Sequence, residues 1–179
     1  GEKLRVVATT SLVADAVAHV GGDRITLTRM LPIGADPHTY QPTPGDVRAV
    51  AEADVIFVNG VGLETWIYDL IRQAGGERPI VPVSAGIKIR KPIKEGRHTS
   101  GAIEKHGEGD PHVWFDVQNV IIWVRNIERT LSTLDPKGKM IYQRNAETYI
   151  GVLEALDAWI VEQVQTIPEE RRKLVTSHE

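Results

Sequence analysis

The stretch LRVVATTSLVADAVAHVGG, residues 4–22, decides the fold class of this chain. It opens on a short β-branched run from Leu4 to Ala8, which is typical of a strand. Apolar residues then recur at helical spacing, and Gly21-Gly22 ends the pattern. The recurring residues are Leu12, Val13, Ala16, Val17 and Val20. A strand that leads directly into an amphipathic helix indicates an α/β architecture.

The alternation of strand and helix patterns continues along the chain. Further strands are predicted over residues 25–31, 54–58 and 80–83. Residues 43–46, Thr-Pro-Gly-Asp, predict a helix start, because they combine a hydroxyl N-cap, a proline in the first turn and a carboxylate near the positive helix end. Another helical face is formed by Trp66, Ile67, Leu70, Ile71 and Ala74. We therefore predict an α/β fold with a four-stranded parallel sheet flanked by helices.

A loop and two helices are predicted in the rest of the chain. Residues 84–110 lack a repeating apolar face, which predicts a surface loop. Asp116 is expected to cap a helix whose buried stripe is Val120, Val124, Ile127, Leu131 and Leu134. The next helix follows Asp135-Pro136, and we expect it to bury Ala146, Tyr149, Leu153, Leu156, Ile160, Val164 and Ile167.

This last helix and the residues after it suggest a second body. A helix that reaches residue 167 is about 45 Å long at 1.5 Å per residue, and such a helix usually connects two bodies. Pro168 marks its end. Residues 173–176 read as the start of another strand, yet the sequence stops at Glu179. We therefore expect the chain to be a fragment of a longer protein.

Composition and charge exclude several functional classes. The 179 residues carry 21 Lys plus Arg against 24 Asp plus Glu, a formal charge of −3, which argues against a nucleic-acid or anionic-membrane binder. The longest apolar run, Val120–Val124, is far shorter than the roughly 20 residues that span a bilayer. The absence of cysteine excludes disulfides, thiolate metal sites and cysteine nucleophiles. No secretory leader pattern opens the chain, which indicates either a cytoplasmic protein or a processed form.

The six histidines are therefore the place to look for chemistry. Residues 36–38 and 110–112 both read Asp-Pro-His, and each proline presents its histidine from a stiff turn. Both turns are predicted near the sheet edge at which α/β proteins bind ligands. A third histidine follows the last predicted strand. Three neutral imidazoles from three loops suit Zn²⁺. The candidate metal ligands are His38, His112 and His178.

A simpler interpretation stays open for each of these side chains, because most loop histidines are solvated or hydrogen-bonded. Asp36 and Asp110 are candidates to orient the two imidazoles, and equally they are ordinary turn formers before proline. His19 lies among apolar helix residues and is interpreted as structural. His98 and His106 fall in the predicted loop and are expected to be solvated.

Other catalytic and cofactor motifs are incomplete. After Gly60-Val61-Gly62, a dinucleotide fingerprint needs glycine where Thr65 stands. There is no GxxxxGK[ST] phosphate loop, which disfavours a nucleotide-binding enzyme, and no HExxH. Glu64, at a predicted helix start, is interpreted as a cap rather than a catalytic acid. A mononuclear zinc hydrolase stays open as an alternative; it needs an open metal position and a general base.

Four ordered motifs together resemble a known family. They are LPIGADPHTYQP (31–42), NGVGLETW (59–66), DPHVWFD (110–116) and VTSH (175–178). In these motifs the chain resembles the zinc- and manganese-binding solute-binding proteins of bacterial ABC importers, the metal-specific cluster A-I family. The resemblance runs along essentially the whole sequence, and it identifies the chain as a C-terminally truncated member.

The resemblance implies two α/β lobes joined by one long rigid helix, with the metal between them. Residues 1–135 are then the N-terminal metal-binding lobe and residues 136–168 the linker helix. Residues 169–179 are the first strand of a C-terminal lobe that is otherwise missing. The family's first three ligands fall on His38, His112 and His178. The fourth, an Asp or Glu of the C-terminal lobe, has no counterpart here.

The implied function is capture of Zn²⁺ outside the cytoplasm and its delivery to the membrane permease of an ABC importer, with no enzymatic step. Histidine at position 178 favours zinc, because manganese-type members have glutamate there and Mn²⁺ prefers oxygen donors. A manganese-binding member of the same family is the alternative. The implied location is the periplasm or the outer face of the cell membrane, with any lipid anchor upstream of Gly1.

Overall fold

The computed structural model of the protein describes residues 2–90 and 109–174. In these ranges, strands and helices alternate up to the fourth strand, and two further helices follow. The strands are β1 (Leu4–Ala8), β2 (Ile25–Arg29), β3 (Val55–Val58) and β4 (Ile80–Pro82). The helices are α1 (Ser11–Gly21), α2 (Pro44–Glu52), α3 (Ile67–Ala74), α4 (Val117–Leu134) and α5 (Lys139–Gln165).

The four strands form one parallel sheet in the order β2-β1-β3-β4, which confirms the predicted fold class. Successive side chains on a strand point to opposite faces. Val6 and Ala8 therefore join a core with α1, α4 and α5, whereas Val7 joins a second core with α2 and α3. Every residue of β3 is buried, because helices cover both faces of the sheet.

The helix starts predicted from the sequence are formed by N-cap hydrogen bonds. Thr43 and Asp46 make a reciprocal capping box at α2, in which each side chain accepts from the other's backbone N–H. At α1 the Thr10 hydroxyl accepts from the backbone N–H of Val13, and at α4 the Asp116 carboxylate accepts from that of Gln118. These caps determine where the loops that leave the carboxyl edge of the sheet turn into helices.

The predicted buried stripe of α4 is partly wrong. Leu134 is 38% exposed and Val120 is only half-buried. The helix packs against α1 and α5 as well as the sheet, so its buried face is wider than one stripe and begins at its first residue. The buried residues are Val117, Ile121, Trp123, Val124, Ile127 and Leu131.

Helix α5 is shorter and far less buried than predicted. Its 27 residues span about 40 Å, and a separate 3₁₀ turn, Pro136–Gly138, precedes it. Its buried residues are Tyr142, Ala146 and Leu153. Beyond Leu153 its expected core residues are 37–43% exposed, because the buried core of the described residues extends along α5 only as far as Leu153. These residues are Leu156, Ile160, Val164 and Ile167.

None of the described helices combines the length and the apolar character that crossing a membrane requires.

Several smaller boundaries also differ from the sequence predictions. Strand β2 ends at Arg29 rather than at residue 31, because its partner β1 ends at Ala8, directly opposite. Strand β4 likewise ends one residue early, at Pro82 opposite the last residue of β3. Leu12 was expected on the buried face of α1 and is 45% exposed. Lys173 and Leu174 are not in a strand, and the rest of that predicted strand lies outside the described residues.

A polar cluster joins the start of β2 to the turn between α4 and α5. Arg24 donates its Nε–H to Asp135 Oδ2 at 3.0 Å, and the Tyr142 hydroxyl donates to the same oxygen at 2.8 Å. The Arg24 hydrogen bond, with a smaller contribution from Tyr142, lowers the pKa of Asp135 below its ordinary value, although partial burial opposes the shift. The folded state therefore favours the ionised carboxylate.

The stability of the protein is consequently expected to fall at acid pH through Asp135. A carboxyl group with a lowered folded pKa stabilises the protein above its unfolded pKa, about 3.9, and loses that contribution as the pH drops through the folded value. We expect Asp135→Asn to reduce the free energy of unfolding at pH 7 and to flatten its decline below about pH 4. Urea unfolding between pH 2 and 7 measures this.

The matched control for this pH series is Asp69→Asn. Asp69 pairs with Arg72 on the surface of α3, where both side chains are more than half exposed. Exposed ion pairs contribute little to stability. The control should therefore follow the wild-type curve, and an Asp135→Asn curve identical to it would contradict the prediction.

Candidate metal centre

The structure brings His38 and His112 together at the carboxyl edge of the sheet. His38 lies on the loop between β2 and α2, and His112 lies on the segment between β4 and α4. Their ring centroids are 5.6 Å apart, with the ring planes tilted by 58°. Two imidazoles that share a tetrahedral zinc, at Zn–N distances of about 2.0–2.1 Å, have centroids roughly 5 Å apart. The spacing therefore suits one shared metal ion.

The two Asp-Pro-His turns have the same local hydrogen bond. In each turn the aspartate Oδ1 accepts from the backbone N–H of the histidine two residues later, at 2.9 Å. This arrangement is an Asx turn, and the intervening proline restricts it further because its φ is fixed. The repeated tripeptide therefore produces the same stiff turn twice, as the sequence predicts.

Asp110 also orients the imidazole of His112. The ring Nδ1 lies 2.8 Å from Asp110 Oδ1, and the histidine side chain is only 12% exposed. A ring that donates Nδ1–H to a carboxylate is held in the tautomer whose Nε2 ligates. Burial tends to raise the pKa of Asp110, but the hydrogen bonds from the backbone and ring of His112 outweigh it and lower the pKa. Asp110 therefore stays ionised and is suited to accept the hydrogen bond from the ring Nδ1–H.

Asp36 makes a different second contact. Besides the backbone N–H of His38, its carboxylate accepts from the Thr39 hydroxyl at 2.9 Å. These two bonds close the turn on both sides of the histidine. Both aspartates thus act as turn formers.

Aromatic side chains contact both histidine turns. Trp114 meets the His112 ring edge-on, with centroids 5.3 Å apart. At the His38 turn, Trp66 donates its indole N–H to Pro37 O at 3.0 Å. The Trp66 ring also packs against the Tyr40 ring, with centroids 5.1 Å apart. The two turns are therefore held in a partly apolar setting, in which charge–ligand interactions are stronger than in water.

Glu64 does not cap a helix, contrary to the sequence interpretation. Helix α3 begins at Ile67, and its N-cap makes no side-chain hydrogen bond. Glu64 is instead buried, and its carboxylate accepts from the Thr9 hydroxyl and from the backbone N–H groups of Asn59 and Gly60. Burial raises the pKa of this group, and the three donors oppose that shift. The carboxylate therefore fixes the loop that follows β3.

The third predicted ligand and the two histidines of the predicted loop cannot be placed at this site. His178 lies outside the described residues, as do His98 and His106. Within residues 2–90 and 109–174, no group of three or more His, Asp or Glu side chains is placed to hold a metal ion. The ligand roles of His38, His112 and His178 therefore stay predictions.

His19 lies at the surface of α1 rather than in the core. Its ring stacks on Tyr149 of α5, with centroids 3.9 Å apart, and its Nδ1 lies 2.9 Å from Asp15 O. The side chain is half exposed. This histidine therefore has a structural role, in the contact between α1 and α5.

The side chains that hydrogen-bond to the two Asp-Pro-His turns were not predicted from the sequence. Asn59 donates its Nδ2–H to Pro111 O at 3.1 Å and is fully buried. Trp66 donates its indole N–H to Pro37 O at 3.0 Å, and the Thr9 hydroxyl donates to Glu64, which lies in the same loop as Asn59 and Trp66. Asn59 and Trp66 lie at the ends of the NGVGLETW motif, which carried the family resemblance but predicted no contact.

Metal-binding lipoproteins of bacteria are similar to this chain along nearly its whole length. Manganese-binding lipoprotein MntA of Halalkalibacterium halodurans is 41% identical over 177 residues, which cover 99% of this chain and 55% of that protein. Manganese ABC transporter substrate-binding lipoprotein PsaA of Streptococcus mitis is 39% identical over 183 residues, covering 99% of this chain and 57% of that protein. The chain thus spans about half the length of the curated relatives it matches.

Solved structures of periplasmic metal-binding proteins have the same fold as this chain. The periplasmic zinc binding protein TroA from Treponema pallidum superimposes with a TM-score of 0.83 at 34% identity, over 99% of this chain and 61% of that one. A manganese-bound periplasmic metal binding protein from Candidatus Liberibacter asiaticus gives 0.83 at 27% identity, over 98% and 62%. The sequence matches the family described as ZnuA, zinc-uptake complex component A, periplasmic, over residues 6–179. Because that match includes nearly every residue, the resemblance read from the four motifs is confirmed, and the chain belongs to this family of ABC-importer substrate-binding proteins.

Proposed function

We propose that the protein captures Zn²⁺ outside the cytoplasm and delivers it to the permease of an ABC importer. The observation that carries the proposal is the pair of imidazoles of His38 and His112, whose ring centroids are 5.6 Å apart. Each ring is presented by the same kind of stiff turn. Relatives named as metal-binding lipoproteins of ABC transporters support the transport role. The names of those lipoproteins and of the periplasmic neighbours support the location.

The proposed ligands are His38, His112 and His178, completed by a carboxylate from outside this sequence. Metal is bound as cargo, so the ligands must hold it reversibly. Three imidazoles favour Zn²⁺, whereas Mn²⁺ prefers a larger share of oxygen donors. Manganese is nevertheless the metal named for several relatives, and Mn²⁺ is the second candidate cargo.

We propose further that residues 1–135 form one lobe, residues 136–168 a linker, and the residues after them the start of a second lobe. The exposed apolar face of α5 supports this division. Exposed contiguous apolar surface on a helix commonly marks an interaction site. The residues that a second lobe would cover are Val152, Leu156, Trp159, Ile160 and Val164.

A zinc hydrolase is the alternative from another functional class, and the carboxylates near the histidines argue against it. A hydrolase needs a general base that can reach a metal-bound water. Glu64 is buried and already accepts three hydrogen bonds, and Asp110 accepts from both the backbone and the ring of His112. Asp36 likewise accepts from the His38 backbone and the Thr39 hydroxyl, so these three carboxylates are engaged in holding the loops and we favour binding over hydrolysis.

Titration of the chain with Zn²⁺ and with Mn²⁺, each in competition with a chelator of known affinity, tests the proposal. We expect stoichiometric binding of one ion per chain and at least about tenfold tighter binding of Zn²⁺, as the stability order of divalent metals at nitrogen ligands requires. Equal or tighter binding of Mn²⁺ would favour the manganese alternative. Absence of binding of either ion would overturn the proposed function.

A further inference from the structure

One loop contacts both histidine turns at equivalent positions. The loop between β3 and α3, residues 59–66, starts with Asn59, whose Nδ2–H donates to Pro111 O at 3.1 Å. It ends with Trp66, whose indole N–H donates to Pro37 O at 3.0 Å. Each acceptor is the carbonyl of the proline directly before a candidate ligand. The shape of this loop therefore sets the distance between the two turns.

Glu64 holds the loop in shape from inside the protein. Its side chain is 3% exposed, and its Oε1 lies 2.6 Å from both the Thr9 hydroxyl and the backbone N of Asn59. Its Oε2 accepts from the backbone N–H of Gly60 at 3.1 Å. Thr9 in turn accepts through its carbonyl from Leu31 N, at the start of the loop that carries His38. The carboxylate thus connects the ends of β1 and β3.

The loop needs such support because its backbone is strained. Gly60, Val61 and Gly62 all have positive φ, at 84°, 57° and 76°. Glycine adopts this region readily, but a β-branched residue such as Val61 does so only when its surroundings impose it. The hydrogen bonds of Glu64 and Asn59 flank this segment and supply that constraint.

We infer that Asn59 and Glu64 are positioning residues for metal binding: Glu64 fixes the loop, and the Asn59 amide holds the His112 turn at the distance from His38 that one ion requires. This inference rests on the proposed metal-binding function. Outer-shell partners of metal ligands typically change the affinity by about 10–100-fold, because a ligand held out of place loses coordination energy.

Replacement of Asn59 by leucine tests the positioning role. The variant keeps the branched shape and the number of side-chain heavy atoms but lacks the amide donor, and we expect its Zn²⁺ affinity to fall by about 10–100-fold. The matched control is Asn145→Leu, which removes an Nδ2–H bond to Val20 O of the same 3.1 Å length. That bond joins α5 to the end of α1 remote from the histidine loops. We expect the control to bind Zn²⁺ like the wild type.

A milder pair of substitutions covers the case in which Asn59→Leu does not fold. Thr9→Val removes the hydroxyl that donates to Glu64 at nearly constant volume, whereas Thr9→Ser retains it. We expect the valine variant to bind Zn²⁺ several-fold more weakly and the serine variant to restore the wild-type affinity. The visible absorption spectrum of bound Co²⁺ reports ligand geometry. That spectrum should change in Asn59→Leu and Thr9→Val, and in neither control.

The outcomes separate the positioning role from the proposed function. Wild-type Zn²⁺ affinity and an unchanged Co²⁺ spectrum in Asn59→Leu and Thr9→Val would overturn the positioning role while leaving metal binding intact. Equal loss of affinity in Asn145→Leu would also overturn it, because general destabilisation would then explain the effect. Failure of the wild-type chain to bind either ion would instead overturn the proposed function.

Discussion

Alanine at position 112 is expected to weaken Zn²⁺ binding by more than about 100-fold, beyond the range typical of outer-shell substitutions. The variant loses a proposed ligand whose ring is held by Asp110 and lies 5.6 Å from that of His38. Alanine at position 38 should have a comparable effect, because the two imidazoles are proposed to share one ion. Competition titration with a chelator measures both affinities.

The control for these variants is His19→Ala. This histidine also contacts an aspartate and an aromatic ring, but it lies on the outer surface of α1 and α5. Its replacement should leave Zn²⁺ affinity unchanged. Asp110→Asn should fall between the two, about 10–100-fold weaker than the wild type, because the ring loses its carboxylate partner but stays in place. Unchanged binding after replacement of both His38 and His112 would exclude this pair as the metal site.

Replacement of Trp123 by alanine is expected to lower the free energy of unfolding by about 3–5 kcal/mol, the usual range for a buried tryptophan. This side chain lies in the core between α4 and the sheet and is 1% exposed. Its indole N–H donates to Ser84 Oγ at 3.1 Å. The variant therefore leaves both a cavity and a buried hydroxyl without its donor. Urea unfolding monitored by circular dichroism measures the change.

Trp159→Ala makes the same chemical change on the outer part of α5. Trp159 is 56% exposed, so its loss should alter the free energy of unfolding by no more than about 0.5 kcal/mol. In a protein that continues into a second lobe, we expect the same substitution to be clearly destabilising, because the proposed lobe covers this face. A large effect in the present chain would contradict the exposed position of Trp159.

Much of the fold follows from patterns that are local in the sequence. Parallel strands buried on both faces need continuous apolar runs, so the strand at residues 55–58 could be recognised without knowing its neighbours, although Asp54, also predicted in it, lies just outside. The helix starts at Thr43 and Asp116 were equally predictable, since an N-cap satisfies backbone groups within three residues. The Asp-Pro-His turns belong to the same class of local feature.

Burial along the last two helices could not be predicted in the same way. Leu156 and Val164 have the spacing of a buried stripe, yet both are more than 40% exposed. An apolar stripe shows that a helix face prefers a partner, but not whether the partner lies within the same sequence. The same difficulty made Glu64 read as a helix cap, because its partner Thr9 lies 55 residues away and reaches it only through the pairing of β1 with β3.

From residue order alone came the α/β class, the strand-to-helix transitions and the two stiff turns that present His38 and His112. Each depends on backbone preferences and apolar spacing within a few residues. The 5.6 Å approach of the two rings and the buried carboxylate beneath them arose only when β1 and β3 paired side by side. Contacts between residues distant along the chain depend on how the sheet and helices pack, and no short stretch of sequence contains that information.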